Sequence, residues 1–222
     1  VSYFIIIGKC EEISMFFILD LFGTFIFGLS GAFRAVKYEL DILGVLILSI
    51  ITGVGGGMVR DALLGATPAA SLTDERYLIV TIIAGLLVFF FAKNLAMQWR
   101  KIIVSDALGL GVFTAIGVSK ALEYGLGPVG AIIIGVVTST GGGVIRDILV
   151  REVPGIVSRD FYATASIIGG VALLTVRYFG GNSVLQVTVA VIVTTVLRLL
   201  AMKYQIHLPR VKKLDKSPSN HN

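Results

Sequence analysis

Thr52-Gly53-Val54-Gly55-Gly56-Gly57-Met58-Val59-Arg60-Asp61 returns later in the chain as Thr138-Ser139-Thr140-Gly141-Gly142-Gly143-Val144-Ile145-Arg146-Asp147. Both copies sit inside long apolar runs. Each glycine in a helix costs roughly 1 kcal/mol against alanine. The Arg-Asp pair that follows is more costly still at membrane depth, where ionisable residues mark functional sites. The pattern predicts two broken membrane helices, with loosened backbone and charged pairs lining a path for a small solute, most simply a cation.

The rest of the composition agrees with a membrane setting. Of 222 residues, 55% are hydrophobic and 15% charged, and the mean hydropathy is +0.90. A soluble domain carries about a quarter charged residues. No alternating ten-residue segments suggest a β-barrel. The formal charge of +5 could suggest nucleic acid. The basic residues stand at the ends of apolar segments, however, as juxtamembrane anchors do. Glu11 and Glu12 precede the first apolar run, which lacks a signal-peptide n-region and reads as a retained helix.

A spanning helix needs about 20 apolar residues. Seven segments qualify: 14–34, 43–64, 77–97, 103–122, 128–150, 161–179 and 183–203. The expected fold is an all-α membrane protein with one transmembrane domain over 1–207 and a polar, disordered tail over 208–222.

Sliding the chain by 86 residues superposes the two motifs, and also Asp20 on Asp106, Gly23 on Gly109, Phe27 on Phe113, Gly31 on Gly117 and Pro68 on Pro154. Between positions 20 and 68 there are 17 identities in 49 positions without a gap. Chance gives about one in 15, so this is a duplication. Repeat one covers about 14–97, repeat two about 103–179, and the seventh helix, about 183–203, stands outside both. Three spans per repeat is an odd number, so the second copy enters the membrane upside down, an arrangement common in transporters.

Arg34, Lys37, Lys93, Arg100, Lys101, Arg151, Arg159 and the basic tail share one side, against Lys9, Lys120, Arg177 and Arg76 on the other. The positive-inside rule puts the C-terminus in the cytoplasm and the N-terminus outside.

The triple glycines admit two roles. Gly55, Gly56, Gly57 and Gly141, Gly142, Gly143 can unwind the helix and expose carbonyls to a cation, with Thr52 and Thr138 adding hydroxyls. They can also let helix backbones touch. The two roles can coexist where the helices cross at the centre. Arg60 and Arg146 stay charged at any workable pH. With Asp61 and Asp147 they form either a gate that shapes the field or structural salt bridges. Asp20 and Asp106 belong either to a cation site or to the neutralisation of those arginines. No Lys-Ser/Thr follows the glycines, which excludes a phosphate-binding loop. No metal site is expected at His207 or His221. Ser30, Ser49 and Ser105 have no His partner, so no enzyme is expected.

These features resemble the TRIC family of trimeric intracellular cation channels, in its prokaryotic branch. The resemblance rests on seven spans, two inverted three-helix repeats and Gly-Gly-Gly-x-x-Arg-Asp in the second and fifth spans, and it covers about 14–203. It implies a homotrimer in a prokaryotic cell membrane. Each subunit then carries its own pore for K⁺, with Na⁺ also permeating, lined by the broken second and fifth helices. Membrane lipid is the implied partner besides the ion, with no other cofactor and no nucleic acid. By match to the motif, the carried-over residues are Gly55–Gly57, Arg60 and Asp61, with Gly141–Gly143, Arg146 and Asp147. Animal members bind phosphoinositide at a Lys-Glu-Val sequence. This chain departs from them with Arg60-Asp61, so that property is not carried over. Related bacterial proteins are also grouped as a glycine-transporter-type domain, which keeps a secondary carrier for a small zwitterion such as glycine as the alternative.

Overall fold

The computed structural model describes residues 2–95, 99–158 and 161–206, and in these the chain is all helix and connecting turn. The seven long helices are α1 (Ser2–Lys37), α2 (Ile42–Leu64), α4 (Glu75–Leu95), α5 (Trp99–Glu123), α6 (Pro128–Leu149), α8 (Tyr162–Tyr178) and α9 (Ser183–Lys203). Two one-turn helices, α3 (Ala70–Thr73) and α7 (Gly155–Ser158), follow α2 and α6 at matching places. The tail 208–222 and Arg159 lie outside the described residues.

Local chemistry sets the helix ends. Asp41 caps α2 by accepting a hydrogen bond from the Gly44 amide at 2.8 Å, and Gly65 closes it with φ 71°. Glycine takes that left-handed turn without a side-chain penalty. Pro128 opens α6, where its missing N–H costs nothing. Asn182 caps α9 through the Leu185 amide at 2.8 Å.

Five helical stretches are long and apolar enough to cross a membrane: Met15–Lys37, Ile42–Leu64, Val104–Glu123, Pro128–Leu149 and Ser183–Lys203. The expected third and sixth spans, α4 and α8, fall outside that set, and α8 is only 17 residues long. Within the bundle α1 packs on α2 and α4, and α5 packs on α6 and α8. α2 crosses α6, α1 lies along α5, and α9 covers α5 and α8.

The expected breaks are not there. α2 and α6 run as continuous helix through Gly55–Gly57 and Gly141–Gly143. The glycines instead make the helix crossing. A Cβ on Gly56 would stand 2.1 Å from the carbonyl oxygen of Thr138, and one on Gly142 would stand 2.2 Å from that of Thr52. Only glycine lets two helix backbones approach so closely. The same pairing recurs nearby. The rings of Phe27 and Phe113, 86 positions apart, pack with centroids 5.1 Å apart.

Candidate ion pathway

Two buried charge clusters flank the crossing. In the first, Arg60 is 2% exposed and its Nε donates to Asp61 Oδ1 at 2.7 Å. Its Nη2 lies 3.5 Å from Asp20 Oδ2, which also accepts from Tyr77 Oη at 2.9 Å. Asp61 further accepts from Lys120 Nζ at 2.7 Å and from the Ala70 amide at 3.1 Å. In the second, Arg146 Nε donates to Asp147 Oδ1 at 2.9 Å, and Asp147 Oδ2 accepts from the Gly155 amide at 2.9 Å. Arg146 Nη1 reaches Asp106 Oδ1 at 3.4 Å and donates to Ser30 Oγ at 2.7 Å. Arg34 Nη2 stands 3.8 Å from Asp147.

These contacts order the helices. Asp20 meets the first cluster and Ser30 the second, ten residues further along α1, or about 15 Å of helix. On α5 the order is reversed: Asp106 meets the second cluster and Lys120 the first. α1 and α5 therefore pass the two clusters in opposite directions.

The structure brings all six charged candidates into these clusters. The threonines behave differently from expectation. Thr52 and Thr138 donate to the carbonyls of Leu48 and Ile134 in their own helices, at 2.6 Å each, and are fully buried. Gly31 and Gly117 make room for these hydroxyls, at 2.5 and 2.6 Å from a Cβ position. Open polar space occurs beside Arg60, in a cavity of about 10 Å³ that Gly53, Gly57, Asp20 and Ser71 help to line. That is about the room one water requires. Arg60 Nη1 and Ser71 Oγ, which belong to residues lining it, have no hydrogen-bond partner among the described residues. Gly55 instead lines an apolar groove of about 510 Å³ with Ile50, Val54, Met58 and Ile145. Between the clusters the backbones of α2 and α6 meet at Gly56 and Gly142.

Several participants were not singled out from the sequence. Arg34 and Lys120 are 86 apart and each pairs with the motif aspartate of the other repeat. A comparison by charge class rather than identity would have found them. Tyr77 and Ser30 have no counterpart, since the matching positions are Ala163 and Ile116, and no pattern marked them. Glu152, in the link after α6, accepts from Arg34, from Tyr38 and from Lys37 Nζ, the last at 2.8 Å. Partial burial raises its pKa, but the Lys37 and Tyr38 hydrogen bonds and the Arg34 charge outweigh that and hold it at about 2.

The fold and its apolar helices define an integral membrane protein. A family model described as Glycine transporter matches twice, over 17–93 and 103–178, together more than half of the chain. A UPF0126 membrane protein of Vibrio cholerae is 39% identical over 199 residues, covering 89% of this chain and 83% of the relative. The Escherichia coli inner membrane protein YadS, also UPF0126, is 38% identical over 193 residues, covering 86% and 93%. A solved TRIC trimeric intracellular cation channel orthologue from Rhodobacter sphaeroides superposes with TM-score 0.83 at 35% identity, over 87% of this chain and all 100% of that one. A prokaryotic TRIC channel crystallised in 0.5 M KCl superposes with TM-score 0.80 at 36% identity, over 88% and 99%. The chain is a member of the TRIC family.

Proposed function

We propose that the protein is a passive K⁺ channel, with Na⁺ also permeating, and that each subunit of a homotrimer holds its own path between α2 and α6. The observation that carries this reading is the pair of buried arginine–carboxylate clusters on either side of the glycine crossing. A cation moving along the bundle meets carboxylates before and after the crossing, and the fixed guanidinium charges shape the field between them. The crossing with α2 and α6 in contact is the closed state. Opening parts α2 from α6 at Gly56 and Gly142 and gives the ion access to the backbone there and to Thr52 and Thr138. Asp20, Arg60 and Asp61 form the outer gate; Asp106, Arg146 and Asp147 form the inner one.

In this reading all seven long helices cross the membrane, as one domain of two inverted repeats plus α9. The N-terminus is outside and the tail cytoplasmic. The opposite passage of α1 and α5 past the two clusters supports the inversion, and the solved TRIC relatives support cation conduction and the trimer. Membrane lipid fills the apolar outer grooves. No catalytic step is involved. Purified protein in KCl-loaded liposomes tests the reading: K⁺ efflux above empty liposomes, approaching that of an ionophore control, is the expected result, and efflux equal to empty liposomes contradicts it.

The Glycine transporter description of the matching family favours a second reading, a secondary carrier. There Arg60 and Arg146 would hold the carboxylate of a small zwitterion such as glycine while the repeats rock. Saturable glycine counterflow without K⁺ current is its signature.

A further inference from the structure

α9 lies outside the duplication, yet it carries a charge into the bundle. Arg198 falls within the apolar stretch Ser183–Lys203 and is 3% exposed. An arginine at that depth faces the interior of a bundle and marks a functional position. Its guanidinium carbon stands 4.8 Å from the centroid of the Tyr162 ring, the geometry of a cation–π contact. Tyr162 is itself buried, packed with Leu110 and Ala165. Its hydroxyl lies 3.4 Å from the Cβ position of Gly143, and Arg146 Nη2 lies 3.6 Å from the same point. One tyrosine thus connects the guanidinium of α9 to the last motif glycine and to the neighbourhood of Arg146. In the first repeat a buried tyrosine also stands beside the motif arginine, since Tyr77 lines the small cavity with Gly57 and Arg60, but it lies one position off the 86-residue register. The position matching Tyr162 is Arg76, whose side chain is 64% exposed and paired with Asp74 at 2.6 Å.

We infer that Arg198, seated on Tyr162, is a positioning residue that sets the electrostatic field in the half of the path beside Arg146. The inference rests on the channel reading. A guanidinium there makes the local potential more positive than a neutral side chain would, which lowers the local cation concentration and throttles K⁺ on one side of the crossing. In the open path, where water and ions enter, the potential that it sets is screened by salt. The Debye length falls from about 10 Å at 0.1 M to about 3 Å at 1 M.

The test uses the full chain in planar bilayers, comparing wild type with Arg198→Gln, Arg198→Met and Arg198→Lys. Both neutral variants should raise unitary K⁺ conductance about twofold or more in 0.1 M KCl and converge on wild type in 1 M KCl, as screening requires. The lysine variant should match wild type at both concentrations. Equal conductance of all variants overturns the inference. So does a change of the same factor at both salt concentrations, or a lysine variant that behaves like the neutral ones. Failure of the neutral variants to assemble as monodisperse protein makes Arg198 a packing element and overturns it as well. Absence of current steps in wild type refutes the channel reading instead.

Discussion

Gly56 packs directly against the backbone of Thr138: a methyl group built on the glycine would stand 2.1 Å from the threonine carbonyl oxygen. The matching contact of Gly142 with Thr52, at 2.2 Å, makes the crossing of α2 and α6 a reciprocal one. Packing, and not unwinding, is what these glycines do in this conformation.

Gly56→Ala and Gly142→Ala should therefore destabilise the protein. Overpacking costs about 1–3 kcal/mol, against roughly 1 kcal/mol of helix propensity gained. Gly57→Ala is the control, since the nearest atom to its Cβ position is Arg60 Nη2 at 3.6 Å. Thermal unfolding in detergent should show a lowered midpoint for the first two and an unchanged or raised midpoint for Gly57→Ala. A glycine needed only to loosen its helix would give a higher midpoint in all three.

Asp61 should be worth more than any one of its donors. It receives Arg60, Lys120 and the Ala70 amide. Asp61→Asn leaves a buried guanidinium poorly compensated, a loss of about 3–5 kcal/mol for a broken buried pair. Lys120→Ala removes a partly exposed partner and leaves the buried pair intact, so about 1 kcal/mol is expected. Unfolding midpoints in that order, with Asp61→Asn far lower, bear this out; a reversed order contradicts it.

The long helices were legible because apolar length is a property of the chain itself. Arg60, Asp61, Arg146 and Asp147 stood out as well, since charge in an apolar run is conspicuous, and all four are buried in the bundle. The continuity of α2 and α6 was not legible. A triple glycine weakens a helix by propensity, but the Thr138 and Thr52 carbonyls that favour packing at these glycines belong to another helix. Tyr77, Ser30 and Arg198 were missed for a related reason. Each acts through a partner 57 or 76 positions away (Asp20, Asp106) or on another helix (Tyr162), and none repeats.

Glu152 ties the end of α1 to the link after α6, and its pKa of about 2 makes that tie pH-dependent. The folded-state pKa lies below the unfolded value of about 4.3. The stabilisation is therefore complete above pH 4.3 and is lost as pH falls toward 2. After allowance for solvent screening it amounts to about 1–2 kcal/mol. Glu152→Gln should unfold at a lower temperature than wild type at pH 7, with the gap closing as pH approaches 2. A gap that stays constant across that range contradicts the assignment.

Current through single molecules bears most directly on what the bundle does. Purified wild-type protein in a planar bilayer between KCl solutions should give resolved unitary steps carried by K⁺. A membrane that shows no steps while the same protein in vesicles exchanges glycine by saturable counterflow would contradict the channel and establish the carrier.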